Sequence, residues 1–322
     1  MAVYTHVSDQ QFRELLAGYD IGAFARAEGI SEGVSNTNYL LHTERGRFIF
    51  TLYEKMVNPA DLPYFLGLME HLAERGIPCP LPIHGRQGEV IQHIAGRPAA
   101  ITSFLAGKSL KAPASVHCGE LGRQMAKLHE ASRGFPLRRA NDLTPVRVWQ
   151  RYEKVAQVSA DAVFPGMRAE LEKNYAHVAA HWPGEVALPS GIIHGDLFPD
   201  NVFFTDGRSS GIIDFYFACN DFFAYDVAIA LNCWCFEHGT EFNITKAQHL
   251  LRGYDEVRKL SGEELAALPV LAAGAALRFL LTRLDGWVNR KAGALVTPKN
   301  PEEYLHRLRF HNQVKNHAEY GL

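Results

Sequence analysis

One segment constrains the fold of this chain more than any other, residues 192–202, with the sequence IIHGDLFPDNV. Two short apolar runs follow it, at 202–205 and 211–215, separated by a polar, glycine-containing turn. This pattern predicts an antiparallel β-hairpin. Asn201 would enter the first strand and Asp214 would leave the second. We therefore expect the hairpin to bring these two side chains together at its open end.

The polar side chains of this segment are suited to metal and proton chemistry. An amide oxygen from Asn201 and a carboxylate from Asp214 are hard ligands of the kind that Mg²⁺ accepts, in small number, beside phosphates and water. Asp196 lies five residues before Asn201, which would place its carboxylate within reach of a hydroxyl group aimed at a phosphate. We predict Asn201 and Asp214 as metal ligands, and Asp196 and His194 as catalytic residues.

The arrangement resembles the protein-kinase catalytic loop, H-R-D-x-x-x-x-N followed by D-F-G, with Tyr216 in place of the last glycine. It is more similar still to the superfamily of aminoglycoside and choline kinases. That superfamily has a D-x-x-x-x-D segment, matched here by residues 221–226, and an L-G-x-x-L-A-x-L-H helix, matched by residues 121–129. The resemblance implies ATP and Mg²⁺ as cofactors, and it implies that Asp226 braces the catalytic loop. We expect His129 to be a packing residue.

The remaining sequence divides into a strand-rich part and a helix-rich part. A capping box at Ser8 starts an amphipathic helix, and a hairpin, a helix at 62–75 and further strands follow. Beyond residue 105, helical periodicity dominates, at about 115–132, 147–158, 166–182, 222–237, 244–259, 262–289 and 301–317. The sequence predicts an α+β, two-lobed protein-kinase-like fold. A small mixed lobe with an antiparallel sheet would span 1–104, and a larger, mainly helical lobe would span 105–322.

The resemblance also implies a nucleotide site in the first lobe. The usual lysine of the third strand and its glutamate partner look absent, because Thr51 and Phe65 occupy those positions. Lys55 lies on the same strand face as Thr51 by the two-residue period, with Glu70 as a partner on the next helix. The turn before the hairpin is placed to cover phosphates, and the hinge is placed to hold adenine. The predicted nucleotide-binding residues are Ser35, Asn36, Thr37, Asn38, Lys55, Ser103, Phe104 and Leu105.

Over nearly its full length the chain resembles the bacterial homoserine kinases that share the aminoglycoside-kinase fold. The similar stretches include GVSNTNY at 33–39, FTLYE at 50–54, IDFYF at 213–217 and RFLLTRL at 278–284. The resemblance implies ATP-dependent phosphorylation of the γ-hydroxyl of L-homoserine. A zwitterionic substrate needs a cation and hydrogen-bond acceptors, and one late helix offers Arg278, Arg283 and Asp285.

Three alternatives stay open from the sequence. The first is a kinase for another small alcohol, such as choline, methylthioribose or an aminoglycoside. The second is a nucleotide-binding sensor without turnover, suggested by the missing lysine and glutamate. The third is a metal-dependent hydrolase that uses His194 and Asp196, which would release phosphate rather than ADP.

The net charge and the distribution of apolar residues limit the kinds of partner that can be expected for this chain. A formal charge of −2 creates no field that favours nucleic acid or an anionic membrane. The N-terminus lacks a signal peptide, and the apolar stretch 266–277 is interrupted by Pro269 and followed by Arg278, which makes it short for a membrane span. We expect a cytoplasmic protein whose partners are ATP and L-homoserine, with no nucleic acid or membrane partner. The oligomeric state is left open.

Overall fold

The structure is a computed structural model that describes residues 5–30, 36–54, 57–184, 187–290 and 299–322. The chain forms two compact units. The first consists of Met1–Ala106 and Gly211–Tyr216, and the second of Gly107–Ser210 and Phe217–Leu322. The sequence analysis placed the boundary at residue 104 and assigned 211–216 to the second lobe. The structure instead groups this short segment, which contains Asp214, with the first unit.

The first unit is built on a five-stranded antiparallel sheet. Its strands are β1 (Phe24–Gly29), β2 (Thr37–Thr43), β3 (Gly46–Leu52), β4 (Gln92–Ile94) and β5 (Arg97–Ser103), in the spatial order β1-β2-β3-β5-β4. Two helices accompany the sheet, α1 (Asp9–Leu16) and α2 (Leu62–Glu74). The predicted opening helix, the hairpin and the second helix are thus present. The edge strand β1 was not predicted.

The start of α1 shows how the sequence fixes this unit. Ser8 Oγ accepts a hydrogen bond from the Gln11 backbone N–H, and Gln11 Oε1 accepts one from the Ser8 N–H, which completes the predicted capping box. Phe12 is fully buried and packs edge-on against Tyr39 of β2 and Phe50 of β3. Burial of one such ring stabilises the fold by roughly 1.5–3 kcal/mol. The helix is therefore held to the sheet by its apolar side.

The second unit is mainly helical. Its helices are α3 (Ser115–Ala131), α4 (Pro145–Val163), α5 (Met167–His181), α6 (Phe223–Trp234), α7 (Ile244–Asp255), α8 (Gly262–Val288) and α9 (Glu302–His311). Its short strands are β6 (Ser190–Ile193), β7 (Val202–Thr205), β8 (Arg208–Ile212), β9 (Cys219–Phe222), β10 (Phe236–Glu237) and β11 (Glu241–Phe242), with the end of β8 in the segment grouped with the first unit. They pair as β6 with β9, β7 with β8 and β10 with β11. Each predicted helix is present, with shifts of a few residues at the ends.

Helix α8 is the central helix of this unit. It is 27 residues long, continues through Pro269, and packs against α4, α6 and α9. By length and composition it could cross a membrane, but 67% of its most apolar window is buried within the protein. The sequence analysis judged the stretch 266–277 short for a membrane span, whereas the helix that contains it, including Pro269 and Arg278, is long and apolar enough by this criterion. These properties are typical of the core helix of a globular unit.

The hairpin after the catalytic loop has a shorter turn than the one predicted. Asp206 and Gly207 both have positive φ, at 51° and 76°, so they form a two-residue turn and β8 begins at Arg208 rather than at residue 211. Asp214 consequently lies two residues beyond the end of its strand, with φ at 65°. The sequence analysis also expected one strand pair among the helices, whereas β6 with β9 and β10 with β11 are present as well.

Candidate active site

The catalytic loop begins where β6 ends, and a single carboxylate fixes its first turn. Asp226, in the first turn of α6, accepts hydrogen bonds from the backbone N–H of His194 at 3.0 Å and of Gly195 at 2.9 Å. The side chains of Asp226 and His194 are both fully buried. The structure therefore places Asp226 where the resemblance implied, beneath the loop rather than at its surface.

Asp226 is itself held by a buried histidine. His129 Nε2 lies 3.1 Å from Asp226 Oδ2, and His129 Nδ1 lies 2.8 Å from the Tyr254 hydroxyl. Burial raises the pKa of Asp226, but the hydrogen bond from His129 and the charges of His129 and His194 oppose it, and the net direction is downward. With its Nε2 hydrogen directed at Asp226 and its Nδ1 at the Tyr254 hydroxyl, His129 connects the carboxylate to the phenol. His129 is thus part of a polar network, which the sequence analysis treated as packing.

Gly195 is required at the turn of the loop. Its φ is 75°, and a Cβ atom built there would lie 3.0 Å from the Phe217 carbonyl oxygen. The Gly195 carbonyl accepts a hydrogen bond of 2.8 Å from Arg278 Nη1, and the Arg278 side chain is almost fully buried. Arg278 therefore contacts the loop from below and shapes it.

Asp196 and Asn201 are linked within the same loop. Asn201 Nδ2 donates to the Asp196 backbone oxygen at 2.8 Å and to the Asp196 carboxylate at 3.2 Å. His194 Nδ1 accepts the Asp196 backbone N–H at 3.3 Å, and Trp234 Nε1 donates to the Leu197 carbonyl at 2.7 Å. Because the amide nitrogen of Asn201 is used internally, its oxygen is the atom suited to a cation. Asp196 remains half-buried.

Asp214 belongs to the first unit, and its backbone is in the left-handed region. The charge of its carboxylate acts on two phenols of the same unit. The pKa of Tyr53 is raised, mainly by burial and then by the interaction with Tyr216 and the charge of Asp214. The pKa of Tyr216 is also raised, mainly by burial, and the charge of Asp214 adds to the effect. Within the described part of the chain, no cluster of three or more His, Cys, Asp or Glu side chains could hold a metal alone. Mg²⁺ is commonly held by one or two protein ligands together with phosphates and water.

The described residues of the predicted phosphate-covering turn are engaged within the first unit. Asn36 Oδ1 accepts the Glu54 backbone N–H at 3.2 Å, Thr37 Oγ1 donates to the Glu54 carboxylate at 2.8 Å, and Asn38 Oδ1 accepts from Thr51 at 2.8 Å. Asn36 and Thr37 are also buried. These side chains shape the end of the turn. Ser35 and Lys55 lie outside the described residues; Glu70, proposed as the partner of Lys55, pairs with His84.

The hinge residues end β5 in the first unit. Ser103 Oγ accepts the Leu81 backbone N–H at 2.9 Å, and the Arg47 guanidinium lies 4.0 Å from the centre of the Phe104 ring. Gly211 admits the Leu105 side chain, because a Cβ there would lie 2.7 Å from Leu105 Cδ1. The side chains of this segment are thus packed. Its backbone groups remain the expected contacts for adenine.

The three predicted substrate residues on α8 are not brought together. Arg278 contacts the catalytic loop, whereas Arg283 donates to the Glu303 carboxylate at 2.8 Å, and Asp285 accepts from Asn289 at 2.7 Å. The Arg283 guanidinium also lies over the ring of Tyr304, 4.4 Å from the centre.

The sequence analysis did not identify the contact between Tyr304 and Cys233. The Tyr304 hydroxyl lies 3.6 Å from Cys233 Sγ. Burial raises the pKa of the Cys233 thiol to about 12, and the charges of Asp196 and Arg283 act on it in opposite directions. The charges of Asp196 and Arg283 thus both act on Cys233. No motif or spacing in the sequence joins these residues.

The comparisons with known proteins agree with this geometry. Residues 26–260 match the family model described as Phosphotransferase enzyme family. The chain belongs to this family. It is 54% identical to a homoserine kinase of Sinorhizobium fredii, covering 100% of this chain and 98% of that protein. It is 55% identical to a homoserine kinase of Rhodospirillum rubrum, covering 100% of this chain and 99% of that protein.

Solved structures show the same fold at low sequence identity. An amicoumacin kinase in complex with AMP-PNP, Ca²⁺ and its ligand superposes with a TM-score of 0.70 at 16% identity, over 96% of this chain and 93% of that one. A microcompartment-associated aminopropanol kinase superposes with a TM-score of 0.63 at 17% identity, over 95% and 97%. The predicted kinase-like fold class is confirmed.

Proposed function

We propose that this protein is a homoserine kinase, which transfers the γ-phosphoryl group of ATP to the γ-hydroxyl of L-homoserine and forms O-phospho-L-homoserine. Relatives of that name match the whole chain at 54–55% identity. The observation that carries the proposal is the catalytic loop, in which Asp196 is half-buried and fixed by Asn201 and His194. The placement in the cytoplasm, with ATP and homoserine as partners, follows from this activity and belongs to the proposal.

The roles within the loop follow from its contacts. Asp196 orients the substrate hydroxyl in line with the γ-phosphate and accepts its proton. Because His194 is fully buried and accepts the Asp196 N–H, we assign it a positioning role rather than direct contact with substrate. The same turn is held by Asp226 and Arg278, which bond its backbone, and by His129, which bonds Asp226. Such a loop is preorganised before substrate binds.

We further propose Mg²⁺ as the divalent metal, with the Asn201 oxygen and the Asp214 carboxylate as its protein ligands. The assignment rests on the sequence motif and on the donor atoms. When bound, the ion would neutralise charge on the transferred phosphate. The backbone of residues 103–105 is proposed to hold adenine, and the turn that contains Asn36, Thr37 and Asn38 is proposed to cover the phosphates.

Substrate choice is the first test. We expect L-homoserine to be used with kcat/KM at least ~100-fold above choline, because a pocket built to bind a carboxylate strongly penalises its absence. Coupled ADP release would be measured with homoserine, choline, methylthioribose and an aminoglycoside, and the phosphate ester would be located by ³¹P NMR. Equal or better use of choline or methylthioribose would reject the assignment. Phosphate release without an acceptor would favour a hydrolase, and nucleotide binding without turnover would favour a sensor.

The substrate carboxylate is the second test. We propose that Arg283 binds it, because Arg283 stacks on Tyr304, the Tyr304 hydroxyl contacts Cys233, and the charges of Arg283 and Asp196 both act on the Cys233 thiol. Arg283→Gln should raise the KM for homoserine roughly 10- to 100-fold, the effect of losing a charged hydrogen bond, with kcat and the KM for ATP within about threefold. Arg309→Gln, which breaks a comparable pair with Glu170, is the matched control. An unchanged KM for homoserine in Arg283→Gln would exclude this role.

A further inference from the structure

Aromatic side chains connect the catalytic loop to helix α9. Phe198, two residues after Asp196, packs edge-on against Phe279 of α8, with ring centroids 5.0 Å apart. Phe279 in turn contacts Tyr304 of α9, with centroids 5.2 Å apart. The guanidinium of Arg283, one helical turn beyond Phe279, lies over the same Tyr304 ring. A row of three rings thus joins the catalytic loop to the arginine that is proposed to bind the substrate carboxylate.

A carboxylate lies directly beside this arginine. Arg283 Nη1 donates to Glu303 Oε2 at 2.8 Å and to the Asn300 backbone oxygen at 3.2 Å. Within the described part of the chain, no hydrogen bond uses Nε or Nη2 of Arg283. A guanidinium has five N–H groups in a planar fork, which suits a second carboxylate as well as the first.

Glu303 is held on one side and exposed on the other. A Cβ atom built at Gly239 would lie 3.2 Å from Glu303 Cγ, so the glycine provides the space for this side chain. Glu303 Oε2 faces Arg283 and also lies 3.9 Å from Nη2 of the buried Arg307. The Glu303 side chain nevertheless remains 41% exposed, against 12% for Arg283. A ligand can therefore reach the carboxylate from solvent.

The chemistry of homoserine matches this pair of side chains. Its carboxylate and its ammonium group are attached to the same carbon atom, so a site for it needs a cation and an acceptor side by side. Arg283 and Glu303 provide both groups, 2.8 Å apart. Asp285, which the sequence predicted for this purpose, accepts instead from Asn289 on its own helix.

We propose that Glu303 binds the ammonium group of homoserine while Arg283 binds its carboxylate, which makes Glu303 a specificity-determining residue. The proposal rests on the proposed kinase function. We call the two side chains the zwitterion pair. A partly exposed ion pair contributes little to stability, so substrate charges can replace part of it at small cost. The γ-hydroxyl, at the other end of the substrate, would be directed along the row of rings toward Asp196.

Analogues that each lack one charge of homoserine provide the test. 4-Hydroxybutyrate has no ammonium group, and 3-amino-1-propanol has no carboxylate. We expect Glu303→Gln to lower kcat/KM roughly 10- to 100-fold for homoserine and for 3-amino-1-propanol, because a charged hydrogen bond is lost. For 4-hydroxybutyrate, kcat/KM should fall by less than about twofold or should rise. Arg283→Gln should weaken homoserine and 4-hydroxybutyrate and spare 3-amino-1-propanol. An analogue that is not turned over would be measured as a competitive inhibitor.

Glu302→Gln is the matched control. Glu302 lies in the same first turn of α9, its side chain is 39% exposed, and it pairs with His306 at 3.9 Å. Its replacement should leave all three compounds unchanged. If Glu303 only held Arg283 in place, Glu303→Gln would weaken 4-hydroxybutyrate as much as homoserine. That result, an unchanged kcat/KM for homoserine in Glu303→Gln, or an equal loss in Glu302→Gln would each overturn the proposal.

Calorimetry with homoserine in the presence of Mg·AMP-PNP distinguishes failure of this proposal from failure of the proposed function. A wild-type protein that binds homoserine without phosphorylating it, and whose binding is weakened by Glu303→Gln, would reject the kinase function and support the zwitterion pair. A wild-type protein that phosphorylates homoserine as well as Glu303→Gln does would reject the zwitterion pair alone. A protein that neither binds nor phosphorylates homoserine would reject both.

Discussion

Replacing Asp196 with asparagine is expected to lower kcat by about 10²–10⁴, the range for loss of a positioned general base. Asparagine keeps the size of the side chain and one acceptor oxygen, so the hydrogen bond from Asn201 Nδ2 can persist. The backbone N–H that donates to His194 is unaffected. Affinities for ATP and homoserine should therefore shift by less than about tenfold. Single-turnover kinetics and calorimetry would measure the two effects separately.

Asp200→Asn is the control for this experiment. Asp200 lies on the same loop, four residues further on, but it is exposed. Its replacement removes an equal charge at a similar place and should leave kcat within about twofold. If Asp196→Asn lost nucleotide affinity while kcat changed little, Asp196 would be a structural or metal-holding group, and the base would have to be another residue.

The catalytic loop was predictable because its residues are close in the sequence. Few backbone conformations can follow a strand, place a glycine at the turn, and bring together an aspartate and an asparagine that are five residues apart. The structure adds reasons that the sequence could not show. Gly195 needs both a positive φ and the space beside the Phe217 carbonyl, and Asp226 contributes two acceptors from 31 and 32 residues away. Contacts of that separation are set by the packing of helices, which a single sequence does not reveal.

The short turn of the following hairpin was not predicted, for a local reason. Asp206 and Gly207 are residues that tolerate positive φ, so a two-residue turn was available, but the longer polar run suggested a wider loop. The short strand β8 includes Ser209 and Ser210, which do not have the apolar pattern of a strand. Edge strand β1 was missed similarly, because its sequence FARAEG is mostly exposed and contains no β-branched residue.

Helix α8 was predicted correctly, but the contacts of its charged side chains were not. Periodicity cannot tell a buried arginine from a solvated one, and Arg278 is buried because the Gly195 carbonyl and the Phe279 ring offer it partners. Arg283 and Asp285 point to other neighbours on α9 and on the helix itself. Substrate contacts depend on which face of α8 meets which loop, and that is a property of the tertiary fold.

The second large effect is expected at Asp214. Asp214→Asn should lower kcat by about 10³ or more, because the carboxylate is the charged member of the proposed metal pair and its electrostatic contribution to phosphoryl transfer is lost. Asparagine is the suitable replacement, since it tolerates the left-handed backbone that Asp214 adopts at φ 65°. The measurement is kcat with homoserine, together with AMP-PNP affinity determined by calorimetry in the presence and absence of Mg²⁺.

The affinity measurement distinguishes a metal ligand from a structural residue. If Asp214 holds the ion, Mg²⁺ should strengthen AMP-PNP binding in the wild type and do so much less in Asp214→Asn, with the metal-free affinities alike. Asp206→Asn is the matched control, because Asp206 also has a positive φ of 51° but lies at an exposed turn. It should retain the response to Mg²⁺ and the turnover of the wild type. A full Mg²⁺ response in Asp214→Asn would exclude Asp214 as a ligand.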